Sequence, residues 1–117
     1  MKFLKPERAD MVLLNSSIKS LTLIHQGKVR DIYDINEHKM LIVTTDRLSA
    51  FDVIMGEPIP FKGQVLTEMA NFWFDYFKDI PNHLTHENPE NFVLPAEIDQ
   101  IHGRAVVVKK LRPIPIE

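Results

Sequence analysis

The chain has 117 residues, 44% of them hydrophobic and 26% charged, with a net charge of −2 and no cysteine. That length suits one domain with a single modest core, and the near-neutral charge excludes a general attraction to nucleic acid or to anionic membrane. The lack of cysteine excludes disulfides, thiolate metal sites and thiol nucleophiles, and fits a reducing compartment.

The chain opens with MKFLKPERAD, which carries charges throughout and lacks the apolar centre of a secretion signal. No apolar run approaches the roughly 20 residues that span a bilayer, so a cytoplasmic protein is expected. Residues 1–15 read as an extension, with Met11 an equal candidate for the start. Ser20 to Gln26 reads as a short strand reaching Gly27, and Lys28 to Ile35 alternates as a second strand. Asn36 to Lys39 is a turn. Met40 to Thr45 is a continuous apolar and β-branched run, as in a strand covered on both faces. These three strands predict an antiparallel meander.

Asp46 to Gly63 changes character, with charges, small residues, two prolines and two glycines. It reads as a long ordered loop with a short strand at Val53 to Met55, and such loops are often functional. Gln64 to Ile80 follows as a helix. Val65, Met69, Phe72, Trp73, Tyr76, Phe77 and Ile80 recur at helical spacing, and Pro81 ends the run. That stripe is read as core, because aromatic side chains dominate burial. Beyond it come a short strand at Phe92 to Leu94, a connection over Glu97 to Gly103, and a β-forming run at Arg104 to Leu111. The prolines of RPIPIE keep the end extended and short of ladder donors. The sum is an α+β fold: an antiparallel sheet of about five strands with one long helix.

Three groups of residues could carry chemistry. His83, His86 and Glu87 have a spacing seen in metal sites, but they follow a helix-ending proline and match no metalloprotease pattern, so no metal site is expected. Lys28 and Arg30 stand two apart after Gly27, on one face of a strand. They fit either a solvated face or a phosphate grip in which glycine lets backbone approach the ligand. Neither a P-loop nor a dinucleotide fingerprint is present. TDRLSAFD, Thr45 to Asp52, packs two carboxylates, an arginine and a serine after a buried strand. A capped turn and a ligand-holding strand end are both compatible with it.

Taken jointly, GKVRDIYD, LIVTTDRLSAFDVIM, PIPFKGQVLTEMANFWFDYF, PNHLT and GRAVVVKKLRPIPIE resemble the N-terminal part of the SAICAR synthetase family, in order and spacing. The resemblance runs from about Leu21 to Glu117. It implies a kinase-like small lobe over residues 16–112 that covers ATP, and the start of a hinge at residues 113–117. The family joins L-aspartate to carboxyaminoimidazole ribonucleotide with ATP and Mg²⁺, through an acyl phosphate. By resemblance Gly27, Lys28 and Arg30 lie over the ATP phosphates. Lys109, Lys110 and Leu111 meet the adenine, and Glu117 lies near the nucleotide. Asp46, Arg47, Ser49 and Asp52 face the other two substrates.

Two departures matter. The signature opening at Ile114 to Glu117 continues in the family through an arginine and a Gly-Ser pair. The chain therefore reads as less than half of an enzyme, inactive alone, with the Mg²⁺ ligands elsewhere and a bare surface at Val106 to Ile116 prone to self-association. Phe61 replaces the small or charged residue usual before Lys62–Gly63, which assigns no substrate role to Pro60 to Lys62. The competing reading is a non-catalytic nucleotide-binding or interaction module sharing the lobe.

Overall fold

The structure, a computed structural model, describes residues 12–116; Glu117 and its expected nucleotide contact lie outside the described residues. β1 (Thr22–Gln26), β2 (Arg30–Asp34) and β3 (Lys39–Thr44) form the expected antiparallel meander. The side chain of Asn36 fixes the β2–β3 turn by accepting from the amides of His38 (2.8 Å) and Lys39 (3.0 Å). A separate two-stranded ribbon, β4 (Ser49–Ala50) and β5 (Val53–Ile54), follows. Then come α1 (Lys62–Tyr76), 3₁₀ turns at Pro89–Phe92 and Pro95–Glu97, α2 (Ile98–Ile101), and β6 (Ala105–Lys109). β6 returns antiparallel beside β3, giving the sheet order β1-β2-β3-β6. Among the described residues no helix is long and apolar enough to cross a membrane.

Register divides the sheet into two faces. Tyr33, Leu41 and Val107 lie in line on one face, as do Asp31, Val43 and Ala105. This face closes over Leu13, Ile18 and Ile101, and every one of these side chains is buried. Arg30, Ile32, Met40, Ile42, Thr44 and Val106 stand on the opposite face. Val108, opposite Met40, is on this face too; it and Thr44 are buried, and the other apolar residues are half-buried.

Three expectations are corrected. Phe92 to Leu94 is not a strand. Pro89 fixes φ and lacks an amide, and the Asn88 side chain accepts from the Glu90 amide at 3.0 Å, so the segment turns as a 3₁₀ helix. The fifth place in the sheet goes instead to a single bridge, Leu84 with Val108, flanked by Lys109 N–H to His83 C=O (2.8 Å) and Thr85 N–H to Val107 C=O (3.1 Å). Residues 12–15, expected to belong to an extension, are sewn into the lobe. Leu13 is in the core, its amide donates to the Asp46 carboxylate (2.9 Å), and its carbonyl accepts from the Asp46 amide (2.8 Å).

The third correction concerns α1, which begins at Lys62 and ends at Tyr76, short of Ile80. Its aromatic stripe faces away from the sheet. Phe72, Trp73 and Tyr76 are 53%, 50% and 67% exposed, and Met69, Phe77 and Ile80 are exposed as well. The rings pack on one another instead, Phe72 on Trp73 with centroids 5.0 Å apart and Tyr76 on Phe77 at 4.9 Å. Periodicity shows that these residues share a side, but not which way that side turns. The direction is set by Gly63, Gln64 and Thr67, the buried residues of the helix.

Gly63 is the close contact. A methyl group there would stand 2.2 Å from the Thr44 carbonyl oxygen and 2.7 Å from the Arg104 guanidinium. Gly63→Ala should therefore destabilise the chain by about 1–3 kcal/mol despite alanine's better helix propensity. Urea denaturation measures this, with the midpoint expected to fall.

Candidate functional site

The Thr45–Arg47 segment, directly after β3, holds the β1–β2 turn from beneath. Gly27 N–H donates to the Arg30 carbonyl (2.7 Å), which closes the turn. The amide and hydroxyl of Thr45 both donate to the Val29 carbonyl, at 3.0 and 2.8 Å. Arg47 donates from Nε to the Lys28 carbonyl and from Nη2 to the Gly27 carbonyl, each at 3.0 Å. Its remaining donors reach the Leu14 carbonyl (2.9 Å), Asn15 Oδ1 (3.3 Å) and Asp31 Oδ1 (2.8 Å). All five guanidinium N–H groups are thus taken. The turn's carbonyls are drawn inward, while the amides of Lys28 and Val29 have no partner among the described residues.

Asp46 is equally saturated. Oδ1 accepts from Gly63 N–H (2.8 Å) and Arg104 Nη1 (3.0 Å), and Oδ2 from Leu13 N–H (2.9 Å) and Arg104 Nη2 (3.1 Å). Asp46 and Arg47 are 0% and 4% exposed. Neither has a polar atom left over for a ligand. Local backbone and each residue's own ion-pair partner occupy those atoms.

The other predicted residues are accessible. Ser49 is half-buried in β4, and Asp52 is exposed in the β4–β5 turn, where Phe51 and Asp52 take positive φ of 51° and 61°. Asp52 pairs with Lys28, joining the ribbon to the β1–β2 turn, and the hydrogen bond from Lys28 holds its carboxyl below the usual range. Lys28 and Arg30 therefore do not share a strand face. Lys28 sits in the turn and leans to the ribbon, whereas Arg30 opens β2 and lines a cavity of about 390 Å³ with Ile42, Thr44, Leu66 and Thr67.

Lys109, Lys110 and Leu111 lie at the far end. Lys109 pairs with Lys39 across β3 and β6, whereas Arg30 pairs with Thr44. Five residues of strand separate the two sites, about 17 Å. The Lys110 amide donates to the His38 carbonyl (2.8 Å), and its ammonium pairs with Asp34. Leu111 is 64% exposed. Ile32, Met40, Ile42 and Val106 form an apolar floor between the two ends.

Sequence reasoning missed Lys62. Burial lowers the pKa of its ammonium, and the nearby Arg30 and Arg47 add to that, against an opposite pull from Asp46. Neither Lys62 nor the Arg30 side chain has a hydrogen-bond or ion-pair partner among the described residues. The available signal was positional: Lys62 and Leu66 are four apart, on one helix face. His83 lines the same cavity as Arg30, and no group of three or more His, Asp or Glu side chains among the described residues could hold a metal.

Unpaired cations and free turn amides at one end of an apolar sheet face define a class of lobe, one suited to a long ligand with an anionic end. The chain belongs to the SAICAR synthetase family, whose model matches residues 23–117. It is 63% identical over 106 residues to the phosphoribosylaminoimidazole-succinocarboxamide synthase of Cupriavidus necator, covering 90% of this chain and 35% of that protein. It is 58% identical over 99 residues to the enzyme of the same name from Chromobacterium violaceum, covering 84% and 35%. Among solved structures, SAICAR synthase from Saccharomyces cerevisiae, complexed with SAICAR, superposes with a TM-score of 0.77 at 36% identity, over 84% of this chain and 36% of that one. The chain thus spans only 35% of the length of the curated relatives it matches.

The network under the turn titrates in acid. Burial pushes the Asp31 carboxyl up, but hydrogen bonds from Arg47 and Ser16 outweigh it and hold it below its ordinary 3.8. A depressed carboxyl contributes stability above its unfolded pKa and loses it as pH falls through the folded value. Melting temperature should hold between pH 5 and 7 and drop below about pH 4. Asp31→Asn should be less stable at pH 7 and should flatten that acid limb, as read by circular dichroism melts.

Proposed function

We propose that this chain is the ATP-covering N-terminal lobe of an ATP-dependent ligase that joins L-aspartate to carboxyaminoimidazole ribonucleotide. The observation that carries the reading is the split of the open sheet face: free donors at the Gly27–Arg30 end, an apolar floor, and the Lys109–Leu111 exit at the other end. A nucleotide laid along that face would put phosphates under Gly27, Lys28 and Arg30, and adenine beside Lys109, Lys110 and Leu111. Family membership, and the name shared by relatives at 58–63% identity, support it.

A carboxylate is a poor acyl electrophile, so the reaction needs activation by phosphoryl transfer, and positive charge must meet the phosphates. Arg30 and the free amides of Lys28 and Val29 would supply part of it. Mg²⁺ would accompany the phosphates, with protein ligands outside the described residues. We assign Ser49 and Asp52 to the face toward the ribonucleotide and aspartate. Asp46 and Arg47 become positioning residues: Arg47 shapes the turn, Asp46 seats the start of α1, and neither touches substrate.

The test is a chimera in which this chain replaces the matching 35% of the Cupriavidus necator enzyme. The chimera should make the succinocarboxamide product from ATP, aspartate and the ribonucleotide, and the 117-residue chain alone should not. An inactive chimera that folds and melts cooperatively would defeat the reading.

The isolated chain should also associate with itself. Val107 and Val108 are buried, but Leu111, Ile114 and Ile116 are 64%, 76% and 80% exposed, so exposed apolar surface lies at that end of the chain as well as on the aromatic cluster of α1. Contiguous apolar patches beyond a few hundred square ångströms usually find a partner. Sedimentation should show concentration-dependent dimers, and Phe72→Glu should abolish them while changing stability by no more than about 0.5 kcal/mol.

A further inference from the structure

We infer that Lys62, Arg30 and Thr67 form an anion subsite between the open sheet face and the first turns of α1, with Lys62 a binding residue for a phosphate or carboxylate group. The inference rests on the ligase reading only for the identity of that anion.

Four observations converge. Arg30 lines the cavity of about 390 Å³ together with Thr44, Leu66 and Thr67. Lys62 stands one turn before Leu66, a residue of the cavity lining, on the same helical row, and its ammonium is near enough to Arg30 for the two charges to repel. Thr67 is only 8% exposed, and its hydroxyl has no hydrogen-bond partner. A buried hydroxyl without a partner is costly, and a ligand oxygen in the cavity would satisfy it. Finally, the positive end of the α1 dipole falls at the same place.

The charges there are out of balance. Lys62 and Arg30 are near enough to repel, and neither has an ion-pair partner among the described residues. The carboxylate that attracts Lys62, Asp46, is already bonded by Arg104 and by two backbone amides. The repulsion between Lys62 and Arg30 is only partly offset by Asp46, whose carboxylate already accepts from Gly63 N–H at the start of α1, and a bound anion relieves the remainder. The lowered pKa of Lys62 has this same origin, after burial itself.

The first experiment uses the chain itself and inorganic pyrophosphate. Pyrophosphate should raise the melting temperature of the chain, against sodium chloride of equal ionic strength, and should have no such effect on Lys62→Ala. Without ligand, Lys62→Ala should melt at the same or a higher temperature than the parent, because the repulsion is gone; a merely structural lysine would lower it. Lys62→Arg should keep the pyrophosphate response. No response in the parent, or an equal response in Lys62→Ala, overturns the subsite. The second experiment measures KM in the active chimera. Lys62→Ala should raise one KM at least tenfold with kcat within twofold, and Thr67→Val should raise the same KM by a smaller factor. A rise for ATP assigns its phosphates to the subsite, a rise for aspartate a carboxylate, and a rise for the ribonucleotide its sugar phosphate. Unchanged KM for all three in an active chimera overturns the inference and leaves the ligase reading standing, whereas an inactive parent chimera with an intact pyrophosphate response does the reverse.

Discussion

Two oppositely charged neighbours, Asp46 and Arg47, hold the lobe together from inside. Asp46 ties the N-terminal segment, the start of α1 and Arg104 to one carboxylate, and Arg47 ties residues 14 and 15, the β1–β2 turn and Asp31 to one guanidinium. Buried ion pairs gain little over a well-packed apolar substitute, but removing one partner costs about 3–5 kcal/mol, because the other is left charged and unsatisfied. Against a total stability of about 5–15 kcal/mol, that makes each of the four charges close to indispensable. The peptide bond between Asp46 and Arg47 thus joins two networks on either side of the sheet's end. Geometry in the turn and the position of the helix cannot vary independently.

Much of the sheet was legible. Alternation through Lys28 to Ile35 and the β-branched run from Met40 to Thr45 give the meander, because period two is a local property of the chain. Phe92 to Leu94 failed because its apolar residues look like a strand while Asn88 and Pro89 decide the backbone. The α1 stripe was recognised as a stripe, but its outward turn depends on Gly63 meeting Thr44, nineteen positions earlier, which no window of sequence contains.

The site divides the same way. Arg30 was legible because strand spacing after a glycine is local, but its separation from Lys28 depends on Asp52 standing across from the turn. Asp46 and Arg47 look like exposed loop polars in sequence. Their saturation comes from carbonyls and amides at Leu13, Leu14, Gly27, Lys28 and Gly63, and backbone groups leave no mark in the sequence. Lys62 was set aside because of Phe61 beside it, and its neighbour in space, Arg30, lies thirty-two positions away, so only the fold brings them together.

Gly63 has a geometric consequence for the cleft. α1 approaches the sheet at that residue, near its first turn, and its fifteen residues extend about 22 Å from there. The helix is a lever with its fulcrum at a missing side chain. The width of the cavity between Arg30 and Phe74 is therefore gauged by the backbone at the fulcrum, and a shift of a few tenths of an ångström there grows severalfold along the arm. Substitutions along the arm can change what the cleft recognises while leaving it open. The exposed aromatic end of α1 is the part of the arm farthest from that fulcrum.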